Sequence, residues 1–165
     1  MSSSRGDIRP VETRDVAAVV RLVHELAAYE RAADECHLTE AQLDAALFGA
    51  RPALFGHVAT VGNEVVGCAL WFLNFSTWRG THGIYVEDLF VRPAYRSQGV
   101  GRALMSALAA ECVARGYHRL EWAVLNWNSA AIGFYASLGA RPQDEWTTYR
   151  LTGPSLVRLA ELASA

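Results

Sequence analysis

The sequence has few of the residues that mark disulfide-rich, metal-binding or nucleic-acid-binding proteins. It contains three cysteines in 165 residues, and its formal net charge is −2. Cys36, Cys68 and Cys112 are widely spaced in apolar stretches, which indicates reduced thiols and not a disulfide framework or a zinc site. The five histidines show no ligand spacing, so we expect no metal. Without an excess of basic residues, we expect no nucleic-acid partner.

Long apolar runs are also missing, although apolar residues make up 52% of the chain. No run reaches the roughly 20 residues of a membrane span. No signal-peptide pattern follows the serines at positions 2–4, so the sequence predicts a cytoplasmic protein with no membrane partner. Length and apolar content are sufficient for one hydrophobic core. We therefore expect a single domain over residues 1–165, with residues 1–6 as a disordered tail.

Hydrophobic periodicity predicts an α/β chain. Apolar, β-branched and aromatic runs predict strands at 7–10, 56–61, 64–75, 84–91, 120–125 and 146–151. Apolar residues at helical spacing predict helices capped by Thr13, Thr39 and Asn128, one from about 100 to 116, and a short one after Gly153. Only strands 84–91 and 120–125 are joined by a long helix, so these two should run parallel in a mixed sheet with helices on both faces. Such a sheet binds its ligand at the carboxyl ends of the parallel strands.

A glycine-rich turn follows the fourth predicted strand. Its pattern is Arg96-x-x-Gly99-x-Gly101-Arg102, and it opens the helix that begins near residue 100. Glycines there let a ligand approach the backbone, and the unbonded N–H groups of the first helical turn favour an anion. The two arginines add charge-assisted donors that suit a diphosphate. A dinucleotide-binding fingerprint would need a glycine where Leu104 stands, and a P-loop would need Gly-Lys-Ser/Thr, so neither motif is present.

A second motif lies further along the chain. It runs from Asn128 through Phe134 and Tyr135 to Gly139. Together with the glycine turn, it resembles the signature of the GNAT superfamily of N-acetyltransferases. More narrowly, the chain resembles the diamine acetyltransferase group, which includes spermidine/spermine and thialysine acetyltransferases. The matching segments are residues 24–30, 76–80, 85–88 and 123–128, and the resemblance spans residues 8–151.

This resemblance implies the GNAT fold, a central mixed sheet with helices on both faces, and acetyl-CoA as the cosubstrate. It places the pantetheine arm along the backbone of the fourth strand and the pyrophosphate on the glycine turn. The cofactor-binding residues predicted in this way are Leu89, Phe90, Val91, Arg96, Ser97, Gln98, Gly99, Val100, Gly101, Arg102 and Asn128. For Asn128 a role as helix cap is the alternative.

Acetyl transfer to an amine requires a neutral amine and a proton donor for the departing thiolate. By resemblance, Glu87 is the general base, acting directly or through water, and Tyr135 is the general acid. Glu87 and Asp88 are adjacent on a strand, so strict alternation places them on opposite faces and only one should line the cleft. Two structural alternatives stay open: Glu87 could hold a loop, and Tyr135 could be a core aromatic beside Phe134.

The resemblance also assigns an amine-binding region. It places Tyr29 and Glu30 over the far end of the amine, with Trp78 as a wall of the acceptor pocket. Polyamine-acetylating relatives carry a further acid near the last strand, where this chain has Thr147, which favours a shorter amine or an amino-acid side chain such as thialysine. The resemblance implies a homodimer as well. Alternative functions are a protein or peptide N-acetyltransferase and a catalytically idle acyl-CoA-binding regulator.

Overall fold

The alternating apolar pattern of the chain forms a five-stranded sheet flanked by helices. The computed structural model describes residues 6–164, and the strands lie in the order β1-β2-β3-β4-β5. The strands are β1 (Asp7–Pro10), β2 (Phe55–Val61), β3 (Glu64–Ser76), β4 (Thr81–Val91) and β5 (Leu120–Trp122). The helices are α1 (Val16–Tyr29), α2 (Glu40–Phe48), α3 (Val100–Arg115), α4 (Ser129–Ser137) and α5 (Gly153–Glu161). Of the tail predicted at 1–6, all but Gly6 lies outside the described residues.

Local sequence signals account for several of these boundaries. The Thr39 hydroxyl accepts the N–H of Gln42 at 3.3 Å, and the N–H of Thr39 donates to the Gln42 side chain at 3.0 Å, which confirms the predicted cap of α2. Gly62 has a φ of 59°, whereas its neighbour Asn63 does not have a positive φ. This is the type II′ pattern, and it joins the antiparallel strands β2 and β3 as the Gly-Asn pair predicts.

The start of the first helix differs from the prediction. Thr13–Asp15 form a 3-10 turn and α1 begins at Val16, so Thr13 does not cap the helix. The N–H of Glu12 donates to the Asp15 carboxylate at 2.8 Å, and the guanidinium of Arg9 donates to the same buried carboxylate at 2.6 and 2.9 Å. The ion pair with Arg9 of β1 holds this turn in place. The helical spacing of apolar residues does not predict that contact.

A helix layer covers each face of the sheet, as the sequence predicts. On one face, α1 and α2 pack on a core that includes Val58, Cys68 and Phe90. Neighbouring residues of these strands point to the other face, where α3 contributes the fully buried Leu104 and Leu108. The chain therefore buries apolar side chains on both sides of β2, β3 and β4.

The parallel pair at the edge of the sheet is short. β4 and β5 pair only from Ile84 opposite Leu120 to Val86 opposite Trp122. The parallel direction confirms the prediction, although β5 ends at Trp122 and not near residue 125. β4 continues to Val91, so residues 87–91 have no described strand on that side. The sheet thus opens at the carboxyl ends of these strands.

The chain divides into two compact units, one ending at Asn128 and the other beginning at Ser129. The second unit contains α4 and α5, where helices are predicted. The strand predicted at 146–151 is wrong: these residues are exposed and form no strand, because a β-strand needs a neighbour to receive its backbone hydrogen bonds. Across residues 6–164, no helix has the length and apolar character needed to cross a membrane.

Candidate active site

The glycine turn leads into the amino end of α3, where backbone N–H groups are available to a ligand. Ser97 and Gly99 are both left-handed, with φ of 60° and 83°, and α3 begins at Val100. The N–H of Ala103 donates to the C=O of Gly99 at 2.9 Å, which leaves the preceding N–H groups of the first turn outside the helical pattern. A Cβ at Gly99 would meet no atom within 4 Å, so the space beside the turn is open. This geometry favours an anion at the helix start.

An arginine that the sequence analysis did not single out anchors the entrance to this turn. The guanidinium of Arg92, directly after β4, donates to Glu25 of α1 at 3.0 Å and to Glu64 of β3 at 2.7 Å. Tyr95 also donates its hydroxyl to Glu64 at 3.0 Å. Since Pro93–Tyr95 form a 3-10 turn between these contacts, the start of the loop is held from two sides. The sequence indicates this role of Arg92 only by an arginine at the end of a predicted strand.

The open edge of β4 offers backbone hydrogen-bonding groups. The N–H of Arg92 donates to the C=O of Val66 on β3 at 2.9 Å. Backbone groups alternate between the two sides of a strand, so Leu89 and Val91 turn their N–H and C=O groups away from β3. They face the side where β5 has already ended. An extended ligand can therefore bind there in the way an added strand would.

A β-bulge lies at the predicted catalytic acid. β3 and β4 pair Leu70 with Asp88 and Trp71 with Val86, so Glu87 is the extra residue of β4. The bulge interrupts the strict alternation that the sequence analysis assumed for Glu87 and Asp88. Glu87 is exposed, whereas Asp88 is half-buried opposite Leu70. Glu87 therefore lies at an irregular position of the strand, where strict alternation does not apply.

The acids near the bulge repel one another. Burial, and to a lesser extent the charges of Glu87 and Glu30, raises the pKa of Asp88 to about 6. The charge of Asp88 also raises the pKa of the buried Cys68 thiol, after the larger effect of burial. Asp88 therefore lies within electrostatic reach of Glu30, which follows α1, and of Glu87. An uncompensated group of acids of this kind is stabilised by a bound cation.

The end of α1 contributes the predicted amine-binding residues. Glu30 is the C-terminal capping residue of α1, and burial raises its pKa. A carboxylate is unfavourable at this position, because the carboxyl end of a helix carries partial negative charge. The neighbouring Tyr29 donates its hydroxyl to the side-chain oxygen of Asn128 at 3.3 Å. Tyr29 and Asn128, which the sequence assigns to substrate and cofactor, are thus in direct contact.

The guanidinium of Arg96 lies between the predicted cofactor and amine regions. Its Nε donates to the C=O of Val91 at 2.8 Å, and its carbon lies 4.9 Å from the ring centroid of Tyr29 and 5.4 Å from that of Phe90. The sequence predicts Arg96 as a diphosphate ligand. In the structure it also caps the open edge of β4, a contact that the Arg-x-x-Gly-x-Gly spacing does not reveal.

A further aromatic residue beside Tyr29 was not predicted as part of the site. The rings of Tyr29 and Trp127 have centroids 6.1 Å apart. The guanidinium carbon of Arg31 lies 4.5 Å from the centroid of the Trp127 ring. Trp127 belongs to a segment that carries the family resemblance. Its place next to Asn128 is the sequence feature that could have indicated a role in the site.

For two predicted site residues, Trp78 and Tyr135, the contacts within the first unit show no position beside the acids. Trp78 lies in the turn between β3 and β4 and is 87% exposed. Six residues of strand separate Thr81 from Glu87, which is about 20 Å along β4. The role of Trp78 as a wall of the acceptor pocket stays a prediction. Tyr135 is half-buried on α4 in the second unit, with its ring 5.3 Å from that of Phe134, and its pairing with Glu87 stays a prediction.

The residues present fit acetyl-CoA. The open edge at Leu89 and Val91 suits the amides of a pantetheine arm, and the left-handed turn at Gly99 suits a pyrophosphate. Among residues 6–164, no three His, Cys, Asp or Glu side chains are grouped to hold a metal ion. Cys36, Cys68 and Cys112 are free thiols.

Comparison with known proteins identifies the class to which this fold and site belong. Residues 20–140 match the Acetyltransferase (GNAT) family, and the chain is a member of that family. It is 35% identical to the thialysine N-epsilon-acetyltransferase of Bos taurus, over 93% of this chain and 96% of the relative. It is 30% identical to an L-ornithine N5-acetyltransferase of Arabidopsis thaliana, over 94% of this chain and 88% of the relative. The protein is therefore an acetyltransferase of the GNAT type.

Solved structures show the same fold. An integron cassette protein from the mobile metagenome of V. cholerae superposes with a TM-score of 0.79 and 28% identity, over 94% of this chain and 97% of that one. An aminoglycoside acetyltransferase from a soil metagenome superposes with a TM-score of 0.74 at 20% identity, over 88% of this chain and 96% of that one. These neighbours confirm the mixed sheet with helices on both faces that the sequence predicts.

Proposed function

We propose that this protein transfers the acetyl group of acetyl-CoA directly to a primary amine of a small molecule, either a diamine, a polyamine or a thialysine-like amino acid. The observation that carries the proposal is the opening of the sheet beyond Val86, which joins the free edge of β4 to the amino end of α3 and to a group of acids. The activities of the thialysine and ornithine acetyltransferase relatives support a small amine as acceptor.

In this proposal the cofactor binds along β4 and the glycine turn. Backbone groups of Leu89 and Val91 hold the pantetheine arm, and one N–H polarises the thioester carbonyl, whereas the backbone groups of Phe90 face Cys68 on β3. The turn binds the pyrophosphate through Ser97, Gln98, Gly99, Val100 and Gly101, with Arg96 and Arg102 supplying positive charge. Asn128 contributes from the segment between β5 and α4. Bound acetyl-CoA supplies the activated acetyl group.

The chemical step requires removal of one proton and delivery of another. A free alkyl amine has a pKa of about 10.4, so only about one molecule in a thousand is neutral at physiological pH. Glu87 accepts a proton from the ammonium, directly or through water, and the neutral nitrogen attacks the thioester carbon. The C–S bond then breaks, and Tyr135 donates a proton to the thiolate. The second proton of the attacking nitrogen returns the Tyr135 phenolate to its neutral form, directly or through water, and the proton on Glu87 passes to solvent. The products are the N-acetylated amine and CoA.

The acids near α1 attract the amine. Glu30 and Tyr29 bind the far end of the acceptor, and Asp88 adds negative potential from beneath the bulge. The raised pKa of Asp88 and the carboxylate at a helix end support this, since both are costs that a bound cation relieves.

Initial rates of CoA release over an amine panel test the function. The panel contains thialysine, lysine, ornithine, putrescine, spermidine and an aminoglycoside, each with acetyl-CoA. We expect acetylation of at least one small amine, with mass spectrometry showing one added acetyl group. Binding of acetyl-CoA without transfer to any acceptor would instead support an idle regulator. Transfer only to a peptide would support the alternative of a protein N-acetyltransferase.

We also propose that the protein is a cytoplasmic homodimer. The second unit exposes several large apolar side chains, which a monomer rarely leaves uncovered: Trp146, Tyr149, Leu156, Val157, Leu159 and Leu162. Light scattering coupled to size-exclusion chromatography should give twice the mass of the chain. A monomer at micromolar concentration would contradict the dimer. The three free thiols support a reducing compartment.

A further inference from the structure

Arg31 adopts a backbone conformation that normally belongs to glycine. Its φ is 63°, and it lies immediately after the C-terminal capping residue of α1. The N–H of Ala32 donates to the C=O of Ala27 at 2.9 Å, and the N–H of Arg31 donates to the C=O of Ala28 at 3.1 Å. These are the two bonds of a Schellman motif, in which the left-handed residue is usually glycine because a Cβ is unfavourable there. The arginine side chain is therefore retained at a steric cost.

The side chain of Arg31 is a cation held against an aromatic ring. Its guanidinium rests on the exposed Trp127 ring at 4.5 Å, and Trp127 is itself next to Tyr29. Among the described residues no carboxylate lies within 4.0 Å of it, whereas Arg9, Arg14, Arg92, Arg115 and Arg119 all have such a partner. The aromatic ring holds the guanidinium in place by a cation–π contact, and a guanidinium carries five N–H donors.

Glu30 and Arg31 carry opposite charges on adjacent residues at the end of α1, within the proposed amine site. Burial raises the pKa of Glu30, so its carboxylate gains from a bound cation. An α-amino acid carries an ammonium and a carboxylate on one carbon, and this pair matches both charges. A diamine of the same length carries only a cation there, which Glu30 can bind but Arg31 repels. The guanidinium fork suits a carboxylate because it can donate two parallel hydrogen bonds.

We propose that Arg31 binds the α-carboxylate of an amino-acid acceptor and thereby selects amino acids over the corresponding diamines. Glu30 binds the α-ammonium of the same acceptor, and the side-chain amine extends toward Glu87. This inference rests on the proposed function of the same site and narrows its acceptor to an α-amino acid with a side-chain amine.

Matched pairs of acceptors test the inference. Lysine and cadaverine, or ornithine and putrescine, differ only in the carboxyl group. The wild-type enzyme should acetylate the amino acid of each pair with the higher kcat/KM. Arg31→Gly should raise KM for the amino acid by about tenfold or more, the value of one charge-assisted interaction, with kcat nearly unchanged. The diamine should keep its KM or bind more tightly. Lysinamide, which has no carboxylate, should behave as the diamine does in both enzymes.

The melting temperature of Arg31→Gly and two further variants, Arg31→Lys and Arg21→Ala, serve as controls. Glycine is the preferred residue at a left-handed position, so Arg31→Gly should melt at or above the wild-type temperature. Arg31→Lys should recover part of the amino-acid preference because it keeps the charge. Arg21→Ala removes an exposed arginine of α1 and should leave the KM for the amino acid and the KM for the diamine unchanged.

Two outcomes would overturn the inference: an unchanged ratio of amino acid to diamine in Arg31→Gly, or an equal loss for both acceptors. Acetylation of diamines alone by the wild-type enzyme would also overturn it while leaving the proposed function intact. Failure of the wild-type enzyme to acetylate any acceptor would contradict the proposed function itself.

Discussion

The phenol of Tyr29 donates a hydrogen bond of 3.3 Å to the side-chain oxygen of Asn128, 99 positions later in the chain. This contact joins the carboxyl end of α1 to the segment between β5 and α4. Arg96 and Trp127 pack on the same tyrosine ring. The proposed cofactor turn and the proposed amine region therefore share one side chain, and several predictions depend on this arrangement.

Removal of the Tyr29 hydroxyl tests the link between the two regions. Tyr29→Phe keeps the ring contacts and loses the hydrogen bond to Asn128. We expect a decrease of about 1 kcal/mol in the free energy of unfolding and a higher KM for the amine. Tyr149→Phe, at a tyrosine that is 92% exposed within the chain and outside the proposed site, is the matched control and should leave the KM for the amine unchanged. Urea unfolding and steady-state kinetics measure both effects. An unchanged KM would remove Tyr29 from the amine site.

Loss of the proposed general base should depend on pH. Glu87→Gln should lower kcat/KM at pH 7 by about 10²–10⁴-fold, the usual contribution of general acid–base catalysis. The deficit should shrink as the pH approaches the amine pKa of about 10.4, because the acceptor is then neutral without a base. A pH–rate profile of the variant against wild type measures this. A deficit that is constant with pH would indicate a structural role for Glu87.

Loss of the proposed general acid should affect turnover and not cofactor binding. Tyr135→Phe should fold normally, lose about 10²–10⁴-fold in kcat and keep its affinity for acetyl-CoA. Single-turnover kinetics and isothermal titration with CoA separate the two quantities. Wild-type turnover in this variant would leave Tyr135 as an aromatic packed beside Phe134.

The stability of the protein should depend on the ionisation of Asp88. The folded protein holds a proton on Asp88 up to about pH 6, whereas an unfolded aspartate loses it near 3.9. The protonated form is therefore favoured by folding. Its contribution is fully present below about pH 4 and is lost as the pH rises through 6. Asp88→Asn should remove this dependence and raise the free energy of unfolding at pH 8 by about 1–2 kcal/mol. Chemical unfolding at pH 4, 6 and 8 provides the test, and identical pH profiles for the two proteins would refute it.

A side chain at Gly99 should disturb the cofactor turn. Its φ of 83° is unfavourable for any residue with a Cβ, although the space around it is open. Gly99→Ala should therefore cost about 1–2 kcal/mol in stability from backbone strain, with no steric clash. If the pyrophosphate binds here, the Kd for CoA should also rise while the Kd for pantetheine stays the same. Gly133→Ala, at a helical glycine with open space, is the matched control. Equal weakening of both ligands would place the pyrophosphate elsewhere.

The sequence predicts features that depend on neighbours within a few residues. The reciprocal cap of Thr39 and Gln42, the Gly62-Asn63 turn and the start of α3 after Gly99 are all of this kind, and all are confirmed. The capping of the first helix by Thr13 is wrong because Asp15 pairs with Arg9 on another element. The strand at 146–151 is wrong because alternating residues define a strand only when a neighbouring strand is available.

The chain by itself thus determined the order of the elements, the family and the identity of the acids and glycines at the strand ends, since local propensity and residue type are sufficient for these. Only the tertiary structure decided which of two adjacent acids is buried, because burial depends on what packs against each side chain, and it alone revealed the bulge at Glu87. It alone also placed the guanidinium of Arg31 on the ring of Trp127. Contacts between residues so far apart in sequence form only when packing and strand pairing bring their elements together.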